Sequence, residues 1–77
     1  MLFLIEYDRG RGEIVTFQSF TNLERQAAEN SRLALELELS RQGLEREVVL
    51  LEAASEDALR LTHRRYFEDL SELVKAS

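Results

Sequence analysis

Cysteine is absent from the 77 residues of the chain. This absence excludes disulfide bonds, zinc sites built on thiolates and cysteine nucleophiles. A chain this short buries only roughly 60% of the surface that its unfolded form exposes, so its own core provides marginal stability. Oligomerisation is then the remaining way to stabilise the fold. We therefore expect a single domain, residues 1–77, that forms a homodimer.

Long apolar segments and an excess of positive charge are also lacking. No stretch approaches the roughly 20 apolar residues that a membrane-spanning helix needs. The apolar start of the chain lacks the basic region and the cleavage site of a signal peptide. The net charge is −5 at neutral pH, whereas proteins that bind nucleic acids are usually basic. We expect a cytoplasmic protein without a membrane partner, in keeping with the absence of cysteine, and the negative charge argues against a general nucleic-acid binder.

His63 is the only histidine in the chain. No nucleophile, second histidine or acid accompanies it at a diagnostic spacing, and one imidazole is too little for a transition-metal site. The glycines at positions 10 and 12 lack the pattern of phosphate-binding loops. The sequence therefore predicts no catalytic residue, no metal site and no cofactor. An enzyme that uses His63 as a general base is a third, less favoured alternative.

Apolar runs separated by turn residues predict two strands at the start of the chain. The first strand covers residues 2–8, and the second covers residues 14–20. Gly10 and Gly12 lie between them, where glycine reaches positive φ without steric cost. A loop of roughly 4–5 residues between two such runs is typical of a β-hairpin.

Two helices and a third strand are predicted in the remainder of the chain. A Thr-x-x-Glu capping box at Thr21 begins the first helix, and Gly43 ends it as the C′ residue. Residues 45–54 contain a β-branched apolar segment that predicts the third strand. Ser55 is a favourable N-cap for the last helix, which we expect to extend to about Lys75.

The connections between these elements predict the topology. The second and third strands are joined through a helix, so they should be parallel with a right-handed crossover. The first strand is the most apolar and is placed in the middle. The prediction is an α+β fold in the order ββαβα. It has a three-stranded antiparallel sheet in the order 2-1-3, a split βαβ unit and both helices on one face.

This arrangement leaves the second face of the sheet uncovered. Phe3, Ile5, Val15 and Phe17 are predicted to face the helices. The opposite face is a predicted self-association face, where two chains would stack, or would join sheet edges, as a symmetric dimer, because apolar surface of this size should not remain in water. Its residues are Leu2, Leu4, Ile14, Thr16, Val48 and Leu50. The alternatives are a different register or a helix that covers this face within the chain.

The first helix carries two apolar stripes on a helical wheel. One stripe contains Leu23, Ala27, Leu33, Ala34 and Leu37. The other contains Ala28, Leu35 and Leu39 and lies on a different side of the helix. One sheet contact needs only one of them, so we expect the second stripe to meet the last helix or a partner chain.

Arginines form the only local concentrations of positive charge. A predicted patch for an anion or a protein partner contains Arg60, His63, Arg64 and Arg65 of the last helix with Arg9 and Arg11 of the hairpin turn. The alternative is a self-neutralising surface. Arg60 lies four residues from Glu56, and Arg64 lies four residues from Glu68, which is the spacing of ordinary surface ion pairs.

The sequence favours a protein that works by association and not by catalysis. We expect a homodimeric protein-interaction module that also binds a protein partner. The alternative is a module for a phosphate-bearing ligand or RNA that uses Arg60, Arg64, Arg65 and the hairpin turn, whose binding would weaken steeply with salt.

Overall fold

A computed structural model describes residues 1–67. It confirms the predicted order of strands and helices. The elements are β1 (Leu2–Asp8), β2 (Glu13–Phe20), α1 (Arg25–Gln42), β3 (Glu47–Glu52) and α2 (Glu56–Thr62). Two short 3-10 turns, Asn22–Glu24 and Arg64–Tyr66, precede α1 and follow α2.

The three strands form one antiparallel sheet in the order β2-β1-β3, as predicted. The central strand pairs with β2 through the hairpin and with β3 through a register that sets Leu4 opposite Leu50. Residues 2 to 6 of β1 are buried. Because β2 and β3 both run antiparallel to β1, they are parallel to each other, and α1 makes the connection between them.

The two helices lie on opposite faces of the sheet, which corrects the prediction that both cover one face. Leu59 of α2 and Tyr66 pack against Phe3 and Ile5 on one face. Leu2 and Leu4 point to the other face, because side chains alternate along a strand, and they are only 2% and 1% exposed. The first helix covers them, since it contacts β1 and β3.

The physical reason is that β1 is apolar on both faces. Each face needs a cover, and the described residues contain two α-helices that provide it. The alternative considered above, a helix that covers the second face within the chain, is the one observed. Leu2 and Leu4 are thus unavailable for stacking on a second chain, and Thr16, Val48 and Leu50 are half-buried. The premise of the predicted self-association face, a bare sheet surface, is therefore not met in this structure.

A β-bulge explains a second correction, at Ile14 and Val15. The register of β1 and β2 shifts between Glu6 and Tyr7, so that Tyr7 pairs with Ile14 and Glu6 pairs with Thr16. Ile14 therefore packs against the core under α2, and Val15 is 49% exposed. The sequence analysis had assigned the two side chains to the opposite faces, because simple alternation contains no extra residue.

The first helix turns its second stripe towards the sheet. Ala28 and Leu39 are buried, and Leu35 is half-buried. The predicted capping box and the predicted C′ glycine are both present at the ends of the helical segment. The Thr21 backbone N–H donates to the Glu24 carboxylate at 2.9 Å, and Gly43 has a φ of 71° in the left-handed region, which favours glycine.

The last predicted helix is interrupted early. Regular α-helix ends at Thr62, and His63 has φ −125° and ψ 51°, outside the helical region. The Thr62 hydroxyl donates to the carbonyl oxygens of Ala58 and Leu59, a local bond that competes with continued helix. The part of the prediction that reaches Lys75 lies outside the described residues.

Leu59→Ala tests the packing under α2. Leu59 is fully buried, so its truncation should lower the free energy of unfolding by about 2–5 kcal/mol. Leu61→Ala in the same helix is the control, because Leu61 is 76% exposed and should change stability by less than about 0.5 kcal/mol. Urea unfolding followed by circular dichroism measures both values. Equal losses for the two variants would contradict the observed orientation of α2.

Candidate functional site

The predicted patch of arginines is divided into separate pairs in the structure. Arg9 and Arg65 meet at one carboxylate, that of Glu47. Arg11 pairs with Glu13 at 3.4 Å. Arg60 pairs with Glu56 at 3.2 Å, and its guanidinium lies 4.5 Å from the centre of the Phe67 ring.

The structure thus neutralises at least four of the six predicted side chains with acids. Of the other two, Arg64 is exposed and His63 is half-buried. The imidazole of His63 has its ring centre 6.5 Å from that of Tyr66. The arrangement favours the self-neutralising surface over a concentrated anion site.

Glu47 is the centre of a polar cluster on the α2 face of the sheet. The Tyr66 hydroxyl donates to Glu47 Oε1 at 2.9 Å, and the Arg65 guanidinium donates to the same oxygen and to the Tyr66 oxygen. Arg9 Nε donates to Glu47 Oε2 at 3.3 Å. The ring of Tyr66 also packs edge-on against that of Tyr7, with centres 5.2 Å apart. The cluster connects the turn after α2 to β3 and to the hairpin through hydrogen bonds.

Burial and ion pairing act in opposite directions on Glu47. Burial raises the pKa of its carboxyl. Hydrogen bonds from Tyr66 and Arg9, with the charges of Arg65 and Arg9, outweigh burial and hold that pKa below its ordinary value. Burial and then the bond to Glu47 raise the pKa of the Tyr66 phenol. The neutral phenol is therefore the donor and the ionised carboxylate the acceptor.

A second polar cluster, which the sequence analysis missed, lies on the α1 face. Glu6 is only 4% exposed in the middle of an apolar strand. Its carboxylate accepts from Arg46 Nη1 at 2.6 Å and from the Thr16 hydroxyl at 2.8 Å. Arg46 Nε also lies 3.7 Å from an oxygen of Asp8. The signal that could have found this site is the single acid within the apolar run of β1.

An open groove of about 620 Å³ lies beside this cluster, between the end of α1 and β3. Leu39, Leu44 and Val48 provide its apolar lining, and Arg46 lies at one side. The guanidinium of Arg46 is already bound to two carboxylates. The groove therefore presents no free cation for an anionic ligand.

The first apolar stripe of α1 faces away from the sheet. Leu23 is 98% exposed, Leu33 is 55% exposed and Leu37 is 61% exposed. Ala27 and Ala34 lie between them and are exposed as well. We call these five residues the outer stripe. The stripe of Ala28, Leu35 and Leu39, which was predicted to meet the last helix or a partner chain, packs against the sheet instead. The outer stripe is therefore the one that stays exposed.

Within residues 1–67 no group of acidic or histidine side chains has the arrangement of a metal site. The same part of the chain has no helix with the length and apolar character needed to cross a membrane. Comparisons with protein-family models, with curated proteins and with solved structures gave no match.

The ion pair of Glu6 with Arg46 can be tested by a double-mutant cycle. Arg46→Met leaves a buried carboxylate without its cation and should lower the free energy of unfolding by about 3 kcal/mol. Glu6→Gln together with Arg46→Met should cost less than the sum of the two single variants. Urea unfolding of all four proteins gives the coupling energy.

The exposed pair of Arg11 and Glu13 provides the matched control cycle. Their side chains are 76% and 56% exposed, so the same substitutions should couple by less than about 1 kcal/mol. Additive losses at Glu6 and Arg46 would contradict the inference that the two side chains act as one buried pair.

Glu47→Gln should lower stability in a pH-dependent way. At pH 7 the loss should be about 1–3 kcal/mol, because charge-assisted hydrogen bonds are removed. The folded-state pKa of Glu47 is lowered. Its contribution is therefore present above the ordinary value of 4.5 and is lost as the pH falls through the folded-state pKa.

The measurement is urea unfolding of wild type and Glu47→Gln at a series of pH values from neutral to acid. The difference in free energy should shrink as the solution becomes acidic. Glu56→Gln is the control, because this exposed pair with Arg60 should contribute little. A wild-type advantage that stays constant across the series would refute the role given to the ionised carboxylate.

Proposed function

We propose that the protein is a non-catalytic interaction module that associates with a second copy of itself, and that the outer stripe of α1 is the associating surface. The observation that carries the proposal is the exposure of three leucines. Leu33 and Leu37 lie on one side of α1, and Leu23 lies in the 3-10 turn that precedes it. Contiguous apolar patches on a protein surface mark interaction sites when they exceed a few hundred Å².

The outer stripe is supported because both faces of the sheet are already used. The α1 face holds Leu2 and Leu4, and the α2 face holds Phe3 and Ile5, all of them at most 2% exposed. The core clusters therefore occupy the sheet on both sides. The homodimer expected from the small size of the chain remains the proposal, with its interface moved from the sheet to the helix.

The energetic gain from covering this stripe is substantial for so small a chain. Complete burial of one leucine side chain contributes about 1.5–3 kcal/mol relative to exposure. Leu23 is 98% exposed, whereas Leu33 and Leu37 are 55% and 61% exposed, so each of these two would gain only part of that amount. Association also costs at least about 4 kcal/mol in lost translational and rotational freedom, and the remaining gain would add to the stability of the fold.

The alternative module for a phosphate-bearing ligand or RNA has less support. Arg60 is paired with Glu56, and Arg65 is paired with Glu47. The chain has a net charge of −5. An anion would have to displace carboxylates that are already in place, so the geometry favours association over anion binding.

Leu37→Glu should abolish self-association without unfolding the chain. Leu37 is 61% exposed, so a charge there costs little in the monomer but would be desolvated in the dimer. Sedimentation equilibrium of wild type should show a dimer, and the variant should sediment as a monomer with an unchanged circular dichroism spectrum.

Leu61→Glu provides the matched control, because it makes the same change at an exposed leucine of α2. This variant should remain dimeric. A wild-type protein that stays monomeric over the whole concentration range would end the proposal. Loss of association in both variants would show that charge, and not the outer stripe, controls the equilibrium.

A further inference from the structure

We infer that α1 packs antiparallel against α1 of a second copy, with a two-fold axis that crosses the helix at the level of residue 32. This inference rests on the proposed function and adds the geometry of the partner. It follows from the order of large and small side chains along the exposed side of the helix.

The exposed side of the helix has the spacing of a coiled-coil seam. Alternate steps of four and three residues connect its members, which is the heptad spacing that keeps side chains facing a partner helix. In order they are Leu23 of the preceding 3-10 turn and then Ala27, Asn30, Ala34, Leu37 and Arg41 of α1. Leu33 of the outer stripe lies beside this seam on the helical wheel. With a rise of about 1.5 Å per residue, the α-helical part from Ala27 to Arg41 is roughly 21 Å long.

An antiparallel partner brings large side chains opposite small ones. Positions whose numbers add to 64 face each other across an axis at residue 32. Leu37 then lies over the second copy's Ala27, and Asn30 lies over its Ala34. Each of these contacts occurs twice by symmetry. Large residues opposite small ones allow two helices to approach closely and to interlock.

The polar members of the seam also fit this arrangement. Leu23 lies over the second copy's Arg41, whose aliphatic stem can cover a leucine while its guanidinium stays on Glu38. Gln26 donates to the Asn30 side-chain oxygen at 3.0 Å, so this oxygen has a partner within its own helix when Asn30 faces the second copy's Ala34.

A parallel pair with the same seam fits less well. It would set each seam residue opposite its own copy, so that Ala27 and Ala34 would leave gaps between the leucine contacts. Arg41 would face a second Arg41, and the two helix macrodipoles would be aligned side by side. Antiparallel packing avoids the gaps and the like-charge contact, and it opposes the dipoles.

The absence of cysteine allows a clean test by disulfide crosslinking. Ala27→Cys and Leu37→Cys are prepared separately, and one of them carries a size tag. The two positions lie roughly 15 Å apart along one helix, which is beyond the Cα separation of a disulfide. Leu61→Cys, at an exposed leucine of α2, is the control. Oxidation of each variant alone and of the mixtures is followed on non-reducing gels.

Antiparallel packing predicts that the mixture of Ala27→Cys and Leu37→Cys forms a mixed disulfide at least about tenfold faster than either variant forms a disulfide with its own copy. The reason is that association raises the local concentration of the two facing thiols. Mixtures that contain Leu61→Cys should stay slow. Faster self-linkage of each variant would overturn the antiparallel arrangement and leave the proposed dimer intact.

The other outcomes separate the two proposals. A dimer by sedimentation in which no stripe position crosslinks would overturn both the antiparallel geometry and the choice of the outer stripe. A monomer by sedimentation would overturn the inference together with the proposed function. Ala27→Cys alone is a mild change at an exposed position, so its sedimentation also shows whether the thiol itself disturbs association.

Discussion

The structure depends on the need to keep both faces of one strand out of water. β1 pairs with a neighbour on each side and carries apolar side chains above and below the sheet. Each helix covers one of these faces, and the position of every other element follows from that division. The crossover through α1 places one helix on the face of Leu2 and Leu4. The chain after β3 then returns over Phe3 and Ile5.

Much of this fold could be predicted because its signals are local. The hairpin glycines, the cap at Thr21 and the C′ glycine at Gly43 lie next to the elements that they delimit. The strand order followed from the apolar character of β1. Periodicity shows which side of a helix is apolar, but it does not show which sheet face that helix will cover, so the division of the helices was not predictable.

The polar clusters were less predictable because their members are far apart in the sequence. Glu6 and Arg46 are separated by 40 positions, and Tyr66 and Glu47 by 19. No short motif connects such pairs. A lone acid in an apolar strand indicates a buried charge that needs a partner. It does not indicate which residue the partner is, because only the folded sheet brings the end of β1 to the start of β3.

The bulge in the hairpin has a consequence for aggregation. β2 is an outer strand of the sheet, and such a strand offers unpaired backbone groups to strands of other molecules. The extra residue at Val15 bends the strand and increases its local twist. The backbone N–H and C=O groups of β2 therefore do not align with those of a straight incoming strand. The bulge thus makes the β2 edge a poorer template for an added strand than a regular edge would be, whereas β3, the other outer strand, pairs with β1 without such an irregularity.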